Sequence, residues 1–367
     1  MINAMVVDDS SFMRRAIKKI LEKSGKIKVI EMANNGKDAF DKLMNNDEID
    51  VITMDVEMPI MDGLEATKLI MDNKPRPIII LSSVTQYGTE SAIKALEYGA
   101  VDIIVKSGNL SLDMNKLSNE IVDKVISVSG VTIKNNMRNL LIKNKILEKS
   151  IKKYDSEFIY SKNIRYKKLE RMEKNPKVLF IGASTGGPKV LKKLIMGLPK
   201  LNLPIIITQH MPKGFTESLA KTLNSVSAMD VKEIAIGEEL KSGIVYVVPG
   251  GTEHTILEKK DGKLIFNLKS NNEENKFYIP SVDVMLKSLV DIFNGRVFVI
   301  ILTGMGNDGL DGVKYLRKYK NGYVIVESEE TAIIYGMPRV IAEENLENEI
   351  LENDKIADRV IKLLKTV

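Results

Sequence analysis

The chain has no cysteine and only two histidines in 367 residues. Without cysteine there are no disulfides, no thiolate zinc sites and no cysteine nucleophile. Two histidines far apart argue against a histidine-rich metal site. Long apolar runs are missing as well, and none approaches the length that spans a bilayer. The start, Met1 to Asp9, has no basic segment leading into a sustained apolar stretch, so no signal peptide is expected. Together these absences predict a soluble, cytoplasmic protein with no direct membrane insertion. There is little charge imbalance either, the formal net charge being +5. Lysine and arginine crowd the stretch from Lys134 to Lys177, which reads as a solvated, partly helical linker. Contact with nucleic acid or anionic lipid is the alternative for that stretch. The second half offers no helix-turn-helix, and no nucleic-acid partner is expected.

Apolar residues make up 44% and charged residues 28%, an ordinary globular balance. The length suits two cores better than one. In the first half, Ala4–Val7, Val51–Met54, Ile78–Leu81 and Ile103–Val105 are short buried-strand candidates. Amphipathic helices such as Phe12–Ser24 and Gly36–Asn45 lie between them. Alternation of this kind predicts a parallel, doubly wound α/β sheet. The pattern fades after Ser127 and returns at Val178, with strand candidates Pro204–Thr208, Val245–Val248, Val297–Leu302 and Tyr323–Val326. The expected organisation is a first domain over 1–127, a basic linker over 128–175 and a second α/β domain over 176–367.

In a parallel sheet the carboxyl ends of the strands meet at one edge, where ligands bind. Asp8 and Asp9 follow the first strand, Asp55 a later one, Ser82 another and Lys106 the last. Three converging carboxylates suit a hard divalent cation, Mg²⁺ with retained waters. Adding Lys106 and a hydroxyl makes a phosphoryl-transfer site in which Asp55 attacks in line. Taken singly, strand-end aspartates are often only helix caps.

The second half carries Ile181-Gly182-Ala183-Ser184-Thr185-Gly186-Gly187-Pro188, a serine in a glycine-rich turn between a strand and a helix. Such a turn lifts a hydroxyl from the sheet and lets backbone amides approach a reacting oxygen. The base must be His210 or His254, both just past strand candidates, and Asp308 follows another strand. Serine needs a base, and the base needs an acceptor on its other nitrogen. His210 lies closer to its strand end and is favoured over His254. A rival reading concerns Gly304, Gly306 and Gly309, which spell a dinucleotide fingerprint with Glu327 after the next strand as the ribose acid. Against it, Asp308 would set a negative charge inside the loop that cradles a pyrophosphate. A third reading, a half that binds a nucleotide or protein without acyl chemistry, predicts normal function in Ser184→Ala.

Residues Asn3 to Ser127 resemble the receiver domain of response regulators. The resemblance rests on Asp8-Asp9, Asp55-Val56-Glu57-Met58-Pro59-Ile60-Met61-Asp62-Gly63, Leu81-Ser82-Ser83, and Gly99-Ala100 before Lys106. It implies a flavodoxin-like sheet, Asp55 as phospho-acceptor, Asp8 and Asp9 as metal carboxylates, Ser82 as switch hydroxyl and Lys106 as phosphate partner. Ser107 stands where such domains usually carry proline, and Ile103 where an aromatic switch residue is common.

From Pro176 onward the chain resembles the catalytic domain of chemotaxis methylesterases, a Rossmann-like three-layer fold. The matching motifs are Gly182–Pro188, Gln209-His210-Met211-Pro212, Pro249-Gly250-Gly251, Pro280-Ser281-Val282-Asp283, Leu302–Gly309 and Tyr335-Gly336-Met337-Pro338. The resemblance implies Ser184 as nucleophile, His210 as base and Asp308 as its orienting acid. It also implies an oxyanion site near the Met305 amide, with Thr185 in support. Pro280–Asp283 itself reads as a helix start capped by Ser281. A receiver placed before such a domain is the arrangement of response-regulator protein-glutamate methylesterases. It implies methylated chemoreceptors as substrate, a chemotaxis histidine kinase as phosphodonor, and no cofactor for the esterase chemistry.

Overall fold

Short aliphatic runs become strands, and the polar-faced segments between them become helices that cover both sides of the sheets. The computed structural model describes residues 1–83, 85–106, 114–130, 175–269, 278–319 and 322–365. The first half runs β1 (Ile2–Val7), α1 (Ser11–Lys23), β2 (Ile27–Ala33), α2 (Gly36–Asn45), β3 (Val51–Asp55), α3 (Gly63–Asn73), β4 (Ile78–Ser82), α4 (Gln86–Tyr98), β5 (Asp102–Val105), α5 (Met114–Ser129). Its sheet has the order β2-β1-β3-β4-β5, with every pairing parallel. Ser10, Asn35, Asp62 and Thr85 cap α1 to α4, each side chain accepting from a first-turn amide.

The second half runs β6 (Val178–Ala183), α6 (Gly187–Gly197), β7 (Ile205–Gln209), α7 (Phe215–Asn224), β8 (Asp230–Glu233), β9 (Ile244–Val247), β10 (His254–Lys260), β11 (Lys263–Lys269), α8 (Val282–Phe293), β12 (Val297–Ile301), α9 (Leu310–Leu316), β13 (Tyr323–Glu327), α10 (Met337–Glu343), β14 (Glu349–Leu351), α11 (Asn353–Lys365). Seven parallel strands order as β14-β13-β12-β6-β7-β9-β8. The side-chain period of two sends alternate residues to opposite faces. Leu179, Ile181, Ile205, Ile207 and Ile300 join Leu191 and Leu194 of α6 on one side. Val178, Phe180, Ile206 and Val299 join Met285 and Leu289 of α8 on the other. The three-layer, doubly wound architecture expected of both halves is what forms.

Five strands go beyond the sequence reading. β2 is an edge strand with charges at Lys28 and Glu31, so it lacks the all-apolar look of its buried neighbours. β8 and β14 also lie at sheet edges and are short. β10 and β11 form an antiparallel hairpin outside the main sheet, turning at Asp261-Gly262 with positive φ at both residues. Asp-Gly is the turn such a hairpin favours, and it was the readable signal. Most of the expected linker, residues 131–174 of 128–175, lies outside the described residues, as does Ser107. Among the described residues, no helix is long and apolar enough to cross a membrane.

The halves meet at the carboxyl edge of the second sheet, beside the end of β6. Helix α4 packs against α6 and α7, and buried Ala92, Ala95 and Leu96 run into one apolar cluster with Leu191, Leu194 and Leu219. Ile333 and Ile334, in the loop between β13 and α10, pack against the first half's core beside Val101, Ile104 and Ile121. Polar contacts complete the junction. Lys192 Nζ donates to Glu97 Oε1 at 2.5 Å, and the Gly186 amide to the Val101 carbonyl at 3.1 Å.

Candidate active site and phosphate site

Ser184 follows β6, His210 follows β7, and Asp308 lies in the loop after β12. Because β6 sits between β12 and β7, three residues distant in sequence share one sheet edge. The edge lies where strand order reverses beside the first strand, the usual crevice of an open parallel sheet. The Ser184 hydroxyl faces His210 Nδ1 at 3.1 Å, and His210 Nε2 lies 2.8 Å from Asp308 Oδ2. A carboxylate can only accept, so Nε2 carries the proton and Nδ1 is left to accept from Ser184. Ser184 and Asp308 are buried, and the His210 side chain is nearly so.

Backbone geometry holds the serine at this spot. The Ser184 amide donates to the Thr303 carbonyl at 3.0 Å, and Gln209 Nε2 donates to the Ser184 carbonyl at 2.9 Å. Gly304 passes so close that a Cβ there would fall 2.8 Å from Ser184 Cβ and 2.4 Å from Met337 Sδ. Glycine is required by that approach. The Gly304–Gly306 segment, with Met305 between, therefore lies against the serine, and the Ser127 hydroxyl of α5 reaches Met305 Sδ at 3.2 Å.

Asp308 is the most heavily bonded group of the site. Its Oδ2 accepts from His210 Nε2 and from the Val282 amide at 2.7 Å. Its Oδ1 accepts from the Ser281 hydroxyl at 3.0 Å, the Asp283 amide at 3.0 Å and the Gly309 amide at 3.1 Å. Burial by itself would raise this carboxyl. The His210 hydrogen bond and charge and the α8 amides outweigh burial and hold it well below the usual carboxylate range. Asp283 returns the arrangement, accepting from the Gly309 and Gly312 amides at 2.9 and 2.6 Å. Each aspartate thus sits on the amide end of the other's helix, where negative charge is favoured. Ser281 caps α8 as read from the sequence, but the pairing of Asp283 with Asp308 was not legible, since nothing local joins α8 to the β12 loop.

The rival readings find no support in this geometry. His254 begins the β10–β11 hairpin, opposite Lys269, and it is His210 that bonds Ser184. Glu327 is fully buried and accepts from the Thr303 amide, the Thr331 hydroxyl and Asn353 Nδ2. Burial pushes its carboxyl up, an interior arrangement rather than a ribose-facing one.

At the first sheet's edge, Asp8 and Asp9 after β1 and Asp55 at the end of β3 bring carboxylate oxygens within 4.8 Å of one another. Lys106 Nζ lies 2.8 Å from Asp8 Oδ2 and 2.7 Å from Asp55 Oδ1. Burial raises the Asp55 carboxyl and Lys106 offsets it only in part. An all-oxygen donor set of this kind fits a hard divalent cation. Ser82 is buried at the end of β4, and its hydroxyl donates to the Gly88 carbonyl at 2.9 Å, toward α4. Ile103, at the place of a switch aromatic, is buried in β5.

The sites are joined through β5. Thr185, next to Ser184, donates its hydroxyl to Asp102 Oδ2 at 2.5 Å, and Asp102 is the first residue of the strand that ends before Lys106. Lys124 of α5 pairs with the same Asp102 at 3.3 Å and with Glu120 at 3.2 Å.

Comparison with known proteins agrees with the two-part layout. Residues 4–118 match the response regulator receiver domain and residues 179–360 the CheB methylesterase domain. A Bacillus licheniformis protein named protein-glutamate methylesterase/protein-glutamine glutaminase is 39% identical over 100% of this chain and 99% of its own length. Its namesakes in Methanococcus maripaludis and Thermotoga maritima are 39% and 38% identical, covering 100% and 99% of this chain and 99% and 98% of theirs. The crystal structure of the Thermotoga maritima CheB methylesterase catalytic domain is 40% identical, covering 53% of this chain and 100% of that one, with a TM-score of 0.49. Likeness that runs from the first strand to the last helix, across both domains, makes this chain a member of the CheB family of receiver-linked protein-glutamate methylesterases.

Proposed function

We propose that the chain hydrolyses methyl esters of glutamate side chains on chemoreceptors, with Ser184 as nucleophile, His210 as base and Asp308 as its orienting acid. The observation that carries the reading is the unbroken chain of hydrogen bonds from Ser184 Oγ through His210 to Asp308. Ser184 Oγ attacks the ester carbonyl carbon while its proton passes to His210 Nδ1. The imidazolium so formed is stabilised by Asp308 at Nε2. When the tetrahedral intermediate collapses, the C–O bond to the methoxy group breaks and His210 returns the proton, releasing methanol. Water then attacks the acyl-serine with His210 again as base, and the glutamate carboxylate and free Ser184 are regenerated. The segment around the Met305 amide supplies the oxyanion donors, and Thr185 steadies the serine turn. Glutamine side chains follow the same route with ammonia as the leaving group. No cofactor takes part in these steps.

The first half is the control element. Asp55 is the phospho-acceptor, Lys106 carries charge to the phosphoryl oxygens, and Ser82 turns from Gly88 to meet them. Asp8, Asp9 and Asp55 would hold Mg²⁺, which when bound supplies positive charge to the transferring phosphoryl group. A chemotaxis histidine kinase is the phosphodonor. The Asp102–Thr185 bond, the Val101–Gly186 bond and the Ile333–Ile334 packing favour a resting state in which the receiver covers the esterase edge. Phosphorylation of Asp55 shifts that docked state toward an open one that admits a receptor helix.

Methanol release from methylated receptor, with and without Mg²⁺ and a small phosphodonor, tests the whole reading. Loss of release in Ser184→Ala and a rise with phosphodonor are expected. Unchanged release in a folded Ser184→Ala protein refutes the acyl chemistry.

A further inference from the structure

Tyr278 played no part in the sequence reading, yet it lies against the reacting histidine. Its ring and the His210 imidazole are parallel within 4°, with centroids 4.5 Å apart. The next residues along the chain are Ile279 and the buried Pro280, and then Ser281 to Asp283, which surround Asp308. One short segment leading into α8 therefore meets His210 on a ring face and supplies donors to the carboxylate at its Nε2 edge.

The two hydrogen bonds of His210 both lie at ring edges, Nδ1 toward Ser184 and Nε2 toward Asp308. Bonds at two edges leave the ring able to rock about the line joining them. A flat surface on one face removes that freedom. The face also has an electrostatic consequence. When Ser184 gives up its proton the imidazole becomes a cation, and an aromatic face attracts a cation more than a neutral ring. An interaction that strengthens only as the proton moves lowers the barrier rather than merely tightening the resting state.

The phenol suits this place. Burial, and then the negative charge of Asp308, push its ionisation upward, so the ring presents no charge of its own to the base. Its hydroxyl points toward Gly306, where an added Cβ would stand 3.5 Å away. Lys124, Asp123 and Glu120 of α5 lie within electrostatic reach of that hydroxyl.

We propose that Tyr278 is a positioning residue for ester hydrolysis, holding the His210 ring in the plane shared by Ser184 and Asp308 and favouring that ring once it has taken the serine proton. The proposal rests on the assignment of Ser184 and His210 given above. It is tested in the full chain with Mg²⁺ and saturating phosphodonor, so that receiver docking does not enter the rate. Kinetics of methanol release from methylated receptor are compared for wild type, Tyr278→Phe, Tyr278→Leu and Ser184→Ala. Phenylalanine keeps the aromatic face and is expected to hold kcat within about twofold, whereas leucine fills the space without it and drops kcat about tenfold with KM nearly constant. Leucine equal to phenylalanine, a loss carried by KM, or a rise in kcat overturns the proposal while leaving the triad intact. Activity in Ser184→Ala would instead overturn the assignment on which it rests. Should Tyr278→Leu fail to fold, fluorinated phenylalanines at position 278 preserve shape and weaken the ring face in steps. A stepwise fall in kcat with fluorination supports the proposal, and a flat series overturns it.

Discussion

Replacing Asp102 with alanine removes a carboxylate that reaches from the receiver to the residue beside Ser184. Thr185 donates to it at 2.5 Å, and the Asp102 side chain is only 16% exposed, so water screens the contact weakly. A hydrogen bond to a charged group contributes about 1.5–3 kcal/mol net. The lower end applies because both partners regain water when the halves part. Lys124 keeps Glu120 and the Ile103 carbonyl as partners after the substitution, so no buried charge is stranded. The docked state therefore loses about 1.5 kcal/mol, which shifts the docked–open ratio about tenfold. Resting methanol release should rise by that factor when the open form is a minor one, measured in an Asp55→Asn background to exclude adventitious phosphorylation. Glu97→Gln provides the scale. It breaks the Lys192 pair, whose side chains are 35% and 32% exposed, and a partly exposed pair of that kind contributes about 1 kcal/mol at most. Its effect should be about fivefold or less. A folded Asp102→Ala protein with an unchanged resting rate would refute the view that this contact restrains the enzyme.

In Asp308→Asn the amide cannot accept from every donor around it, so kcat should fall about 10³–10⁴-fold and urea unfolding should show a loss of about 2–3 kcal/mol. The same pair of proteins tests the sign of the Asp308 ionisation. A depressed carboxyl stabilises the fold above the ordinary carboxylate range and loses that contribution as pH falls through its own lower value, so the stability gap should narrow steadily on acidification. Asp55→Asn should abolish the response to phosphodonor while leaving the resting rate of methanol release in place. Gly304→Ala forces a Cβ against Ser184 and Met337, and an overpacking cost of about 1–3 kcal/mol should appear in thermal melts together with a fall in kcat.

What could be read in advance follows the physics of each feature. Strands buried on both faces, such as β4 and β12, are nearly unbroken apolar runs and announce themselves. The edge strand β2 hides because Lys28 and Glu31 interrupt its apolar run. The places of Ser184, His210, Asp308, Asp8, Asp55 and Lys106 were legible because each stands at or after a strand end, and a parallel sheet gathers those ends. Tyr278, Asp283 and Asp102 were not, because their roles depend on which loop crosses which helix start. Asp102 in particular reads as a polar strand opening, and only the docking of two domains gives it Thr185 as a partner.

The exchange of carboxylates between Asp308 and Asp283 bears on how this enzyme can change. Asp308, the proposed orienting acid, fastens the start of α8 while Asp283 of α8 fastens the start of α9, so the proposed chemistry and the architecture share one attachment. Heat or denaturant cannot loosen the acid while sparing the two helices, and inactivation should coincide with loss of the domain's helical signal. Adaptation to a different receptor has its room elsewhere, at the exposed Asn307 and in the seam with the receiver. The innermost part of the machine is the part least free to drift.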